Sequence, residues 1–66
     1  MHILLNGEPR EVADGATLAQ LLETLDLENR RFAVEINEGL VPRSEHAAHA
    51  LQSNDRIEIV QAIGGG

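Results

Sequence analysis

Thr17-Leu18-Ala19-Gln20-Leu21-Leu22-Glu23-Thr24-Leu25 is the stretch whose reading decides the fold of this chain. Leu18, Leu21, Leu22 and Leu25 recur at i, i+3, i+4 and i+7, the spacing that lines one face of an α-helix. Gln20, Glu23, Thr24 and Asp26 fall away from that stripe. Thr17 followed three residues later by Gln20 has the form of a capping box, in which the hydroxyl accepts a helix-end N–H and the amide reaches back. The pattern predicts a helix of about ten residues with one buried face. Four leucines at this spacing are packing residues, and they suggest no cofactor.

Outward on the N-terminal side, His2-Ile3-Leu4-Leu5 reads as a short strand. Asn6-Gly7 is a strong hairpin signal, because both residues tolerate positive φ. Arg10-Glu11-Val12 returns as a second, more polar strand, with Pro9 at its start or on an edge because it lacks an N–H. Asp14-Gly15 then breaks the chain before the helix. On the C-terminal side, Phe32, Val34 and Ile36 alternate with polar or small neighbours and share one face of a strand. Glu38-Gly39 reads as a turn, Leu40-Val41 as a short strand ended by Pro42, and Ser44-Glu45-His46-Ala47 as a helical turn, with Leu51 plugging the segment into the core. After a turn at Ser53-Asn54-Asp55, Arg56 to Ala62 forms the last strand, with Ile57 and Ile59 on one face. The order is strand, strand, helix, strand, short strand, helical turn, strand, an α+β domain with one sheet on one helix.

Composition narrows the function classes. The chain has 66 residues, a net charge of −6, no cysteine, and Phe32 as its one aromatic residue. A stacking nucleic-acid binder needs several aromatic platforms and a basic groove, so nucleic acid is excluded as a partner. Disulfides, thiolate metal sites and a cysteine nucleophile are excluded together. No apolar run approaches the ~18 residues needed to span a bilayer, so no membrane partner is expected. Met1 to Asn6 is too short for a signal peptide, and a cytoplasmic location is expected. A ligand pocket of ~300–1,000 Å³ would consume most of the core of a body whose radius of gyration is roughly 11 Å. Chemistry is therefore expected at the surface or at a chain end, and no catalytic residue is assigned. His46 and His49, three apart, are too few for a metal site, since catalytic zinc takes three protein ligands. The acidic residues are spread along the chain and form no calcium loop, but they steer it toward basic surfaces. All five cationic side chains are Arg, so no side-chain amine on the chain can attack an activated acyl group.

Gly64-Gly65-Gly66 follows the last strand almost directly, with no polar spacer. Glycines lack Cβ, so a partner can close tightly around their backbone. Ile63 to Gly66, fully extended, reaches ~13–14 Å, enough to thread a narrow channel. The functional reading is that the Gly66 carboxylate is the reacting group.

The hairpin, the Leu-striped helix, the late strands and the terminal glycines resemble the ubiquitin-like β-grasp superfamily. Within it the chain resembles the ThiS family of sulfur carriers of thiamine biosynthesis. The resemblance rests on Ile3-Leu4-Leu5-Asn6-Gly7, Leu21-Leu22, Ala33-Val34-Glu35-Ile36-Asn37, Leu40-Val41-Pro42-Arg43, and Asp55-Arg56-Ile57-Glu58-Ile59 running to Ala62-Ile63-Gly64-Gly65-Gly66. The resemblance implies a four- to five-stranded mixed sheet on the helix, with first and last strands adjacent and parallel. It implies a β-grasp domain over residues 1–63 and a glycine tail over 64–66. A ThiF-like adenylyltransferase is expected to adenylate Gly66 with ATP, a cysteine-derived sulfur to displace AMP and leave a thiocarboxylate, and a ThiG-like thiazole synthase to take the sulfur. Gly64 and Gly65 give access to Gly66, and the chain itself holds no cofactor and no metal. If the first and last strands pair, Leu4, Val60 and Ala62, with Ile63, would offer partners an outward apolar patch beside the tail. The alternatives are a molybdopterin-synthase small subunit, with the same thiocarboxylate, a ubiquitin-like modifier that forms isopeptide bonds, and an inert interaction module.

Overall fold

The structure, a computed structural model, describes residues 1–27 and 30–61. Five strands form one mixed sheet in the order β2-β1-β5-β3-β4. They are β1 (His2–Leu5), β2 (Glu8–Glu11), β3 (Phe32–Ile36), β4 (Gly39–Val41) and β5 (Arg56–Gln61), with helix α1 (Leu18–Glu23) and a single 3₁₀ turn at Arg43–Glu45. Strand β5 lies in the middle, parallel to β1 and antiparallel to β3, as the resemblance implied.

The opening hairpin follows its turn chemistry. Leu5 pairs with Glu8 across a two-residue loop, and Asn6 and Gly7 take φ of 50° and 85°, the doubly positive geometry that matches strand twist. The second strand thus begins at Glu8 rather than Arg10. Its partner hairpin differs from the sequence reading. Ile36 pairs with Gly39, so the turn residues are Asn37 and Glu38, at φ 52° and 71°, and Gly39 already belongs to β4. Asn37 decides this register through side-chain bonds to β5 and Asp55, which override the usual preference for glycine in the turn.

The capping box on α1 is formed in both directions: the Gln20 main-chain N–H donates to Thr17 Oγ1 at 3.2 Å, and the Thr17 main-chain N–H donates to Gln20 Oε1 at 2.9 Å. The helix is shorter than its leucine stripe, ending at Glu23. The Thr24 hydroxyl donates to the Leu21 carbonyl at 2.7 Å, and the Leu25 N–H bonds to Leu22 in a tightened last turn. Asp26 at φ 47° then turns the chain out of the helix. Leu22 and Leu25 still pack against the core.

That core comprises Ile3, Leu18, Leu21, Val34, Ile36, Val41, Leu51 and Ile57. Each side chain contributes ~1.5–3 kcal/mol when fully buried. The sheet supplies Ile3, Val34, Ile36, Val41 and Ile57, the helix Leu18 and Leu21. Leu51 closes the far side, fixed by its N–H to the Ala16 carbonyl at 2.9 Å, while the Leu18 N–H donates to the His49 carbonyl. The helix start is thereby tied to the segment before β5.

Candidate functional site

Strand β5 is described as far as Gln61, which stands opposite Phe32 on β3. Residues 62–66 lie outside the described residues, and with them the expected reacting group Gly66, the access glycines Gly64 and Gly65, the docking candidates Ala62 and Ile63, and the domain boundary at 63. The site is therefore described from its root, the end of β5 and what surrounds it.

Two side chains fix β5 by substituting for missing strand backbone. Asn6, in the first turn, accepts a hydrogen bond at Oδ1 from the Ile59 N–H at 2.9 Å, while its own N–H donates to the Ile57 carbonyl at 2.8 Å. Asn37, in the second turn, accepts at Oδ1 from the Arg56 N–H at 2.9 Å. Its Nδ2 donates to Asp55 Oδ1 at 3.0 Å, and Asp55 Oδ2 accepts from the Gln52 N–H at 2.8 Å. Asp55 is 6% exposed, so these bonds satisfy a carboxylate that would otherwise be costly to bury. The sequence showed both asparagines only as turn formers or as part of a resemblance. Their acceptor role depends on where β5 passes, which no local pattern states.

Of the docking candidates, Leu4 and Val60 both face away from the core. Leu4 is half-buried and Val60 is 55% exposed. The structure places them on adjacent strands but does not bring them side by side: Leu4 pairs with Arg56 and Val60 with Ala33. Arg56 and Glu58 share the outward face between them, so Val60 and Ala33 form the small apolar area at the tail end of the sheet. Leu40, 68% exposed, stands beside Glu35 further out.

On the helix side, a groove of about 550 Å³ is lined by Ala19, Leu22, Glu23, Asp26, Leu27, Phe32 and His46. The His46 ring stacks on Phe32 with centroids 6.5 Å apart, and its Nε2 lies 3.2 Å from the Val41 carbonyl oxygen. His46 is thus engaged in packing, and His49 serves the fold through its backbone carbonyl. Among the described residues no three His, Asp or Glu side chains gather as a metal site, and no helix is long and apolar enough to cross a membrane.

Comparison with known proteins gives this arrangement its relatives. The ThiS family model matches residues 3–66. The chain is 41% identical over 66 residues to the sulfur carrier protein ThiS of Escherichia coli K12, with both chains covered completely. It is 46% identical over 66 residues to a thiazole synthase of Magnetococcus marinus and 41% identical over 66 residues to one of Paramagnetospirillum magneticum. It spans only 20% of the length of each of these two synthases. The crystal structure of the thiamine biosynthesis protein ThiS from Geobacter metallireducens superposes with a TM-score of 0.85 at 28% identity, each chain covered completely. With a five-stranded mixed sheet, a helix and a 3₁₀ turn among its described residues in the ubiquitin-like β-grasp arrangement, the chain belongs to the ThiS family.

Proposed function

We propose that this chain is a sulfur carrier for thiazole formation in thiamine biosynthesis, a substrate of other enzymes rather than an enzyme. The observation that carries this reading is the course of β5 in a ThiS-family chain: the central strand of the sheet, described to Gln61, leads toward Gly64, Gly65 and Gly66. The folded body is a handle, and the acyl end of Gly66 is the working group. A free carboxylate is a poor electrophile. A ThiF-like partner joins it to the α-phosphorus of ATP, expelling pyrophosphate, and the resulting acyl-adenylate has AMP as a good leaving group. Sulfur derived from cysteine displaces AMP and leaves a thiocarboxylate on Gly66. A ThiG-like thiazole synthase takes that sulfur. Similarity to a fifth of the length of chains named thiazole synthase supports such a recipient.

No side chain of this protein needs to act as acid, base or nucleophile in these steps, and ATP is bound by the activating partner. Gly64 and Gly65 give narrow access to the reacting end. Partners dock on the outward sheet face, at Val60 toward the tail and at Leu4 on the far side of Arg56 and Glu58, with Ala62 and Ile63 completing the contact. The exposed Val60 and the net charge of −6 support this docking, because they favour a partner surface with an apolar centre and a basic rim. The cytoplasm supplies both ATP and the cysteine-derived sulfur.

The test is intact-mass measurement after incubation with the activating enzyme, ATP and a sulfur donor. The expected product is heavier by the difference between one sulfur and one oxygen atom. An unchanged mass with an enzyme competent on another family member overturns the reading.

A further inference from the structure

Among the described residues, strands β2, β4 and β5 each leave a length of edge open, and the first two are guarded. In β2 the ladder to β1 places Pro9 opposite Leu4, at an alternate position whose N–H would point away from the sheet, and proline has none. In β4, Leu40 is the strand residue whose backbone faces outward, and Pro42 holds the next outward position. Proline at such positions blunts an edge against pairing. The third length lies inside the sheet. Strand β1 pairs with β5 only through Leu4–Arg56 and Leu5–Ile57, then turns away at Asn6 and Gly7. Asn6 Oδ1 completes the ladder as far as the Ile59 N–H. The Asn37 N–H donates to the Arg56 carbonyl, and the strand register makes Glu58 and Val60 face β3. Ile59 and Gln61 therefore turn toward the side that β1 has vacated. There the Ile59 carbonyl and the Gln61 N–H and carbonyl have no strand partner among the described residues, and no proline guards them. Among the described residues, a Cβ placed on Gly7, in the turn that ends the β1 ladder, would meet no atom within 4 Å, so none of them crowds that turn.

We infer that this vacated edge of β5 is a strand-addition site, filled by an extended segment of the enzyme that activates Gly66 through hydrogen bonds to the Ile59 and Gln61 main chain. This rests on the sulfur-carrier reading. The occupant is a strand because the unpaired groups are main-chain donors and acceptors at ladder spacing. The carrier's net charge of −6 calls for basic flanks on that strand. Five residues follow Gln61, with a reach of at most roughly 16–18 Å, so a strand paired there lies within that reach of the reacting carboxylate. Main-chain pairing at the root fixes the direction in which the tail enters the channel without relying on side chains the tail does not have.

Amide hydrogen exchange read by NMR, on the chain alone and in complex with its adenylating enzyme without ATP, tests the inference directly. The Gln61 N–H is expected to slow at least ~tenfold in the complex, whereas the Glu58 and Val60 amides, already bonded to β3, change little. A Gln61 amide that exchanges equally fast in the formed complex overturns the inference and leaves the carrier reading standing. A second arm compares Gln61→Pro, which lacks the N–H but breaks no bond to β3, with Gln61→Ala, which keeps it. Adenylation of the proline variant is expected to be ~3- to 10-fold weaker in kcat/KM, carried by KM, and equal values overturn the inference. If the proline variant does not fold, the exchange measurement on the unaltered chain decides. Failure of the unaltered chain to be adenylated at all overturns the carrier reading and this inference with it.

Discussion

The two hairpins that flank β5 are built alike and do different things. Each turns on two residues of positive φ led by an asparagine, and each asparagine reaches across to a β5 N–H with its Oδ1 at 2.9 Å. Asn37 grips the start of the strand, at Arg56, and is itself held by buried Asp55. Asn6 grips further on, at Ile59, with no such second bond, and beyond it the β1 side of the strand is open. One end of β5 is locked into the fold, and the other is left for a partner. On β5 the fully buried side chain is Ile57, and Ile59 beyond it is only partly buried against the core. Both halves of the strand pair with β3, but only the first half has β1 along its other side.

The largest expected effect is functional and belongs to the open end. Deleting Gly66 should abolish thiocarboxylate formation in the mass assay while leaving the melting temperature unchanged, since every core residue described lies between Ile3 and Ile57. A loss of several degrees would break the contrast between the two ends. At the locked end, Asp55→Ala strands the Asn37 amide and the Gln52 N–H, at an expected cost of about 2–4 kcal/mol in urea unfolding. That is a large part of the ~3–10 kcal/mol available to a domain of this size. The same variant should still accept sulfur at temperatures where it is folded.

The matched pair of asparagines sharpens the comparison. Asn6→Ala loses one bond and an easy left-handed residue, about 1–2 kcal/mol. Asn37→Ala should cost roughly 1 kcal/mol more, because it also leaves Asp55 short of a donor. Equal losses would show that the Asp55 link adds nothing. The smallest effect is a gain. Glu38→Gly relieves a φ of 71° in a turn whose favoured second residue is glycine, and should stabilise by about 0.5–1 kcal/mol. This raises the melting temperature by ~2–8 °C. The substitution also removes the Arg56–Glu38 ion pair, which at 3.9 Å and exposed on both sides contributes little.

Much of this fold is legible in short windows of sequence. The leucine stripe and the Thr17–Gln20 pair announce the helix, and Asn6-Gly7 announces the first hairpin, because those signals act over three or four residues. The second hairpin departs from its local signal by one position. Gly39 is the local signal for a turn, whereas the register is decided by Asn37 bonding to residues eighteen and nineteen positions away. The helix end departs for a similar reason: the stripe continues to Leu25 in packing, but Thr24 and Asp26 close the helix sooner. The outward placement of Leu4 and Val60 follows from alternation within each strand. Their separation across the face follows only from the β1–β5 register.

By itself the sequence determined the element order, the apolar faces, the lack of any lysine or cysteine, and the Gly64-Gly65-Gly66 run on a ThiS-like pattern. These are properties of residue type and short-range spacing, which the chain carries even when unfolded. Only the tertiary structure decided that β5 runs between β1 and β3, and that two turn asparagines serve as its backbone partners. It also decided that β1 stops short and leaves the Ile59 carbonyl and the Gln61 main chain with no strand partner on that side among the described residues. Those depend on which strands meet and in what register, a choice made by long-range burial of one face of the sheet and not written in any local window.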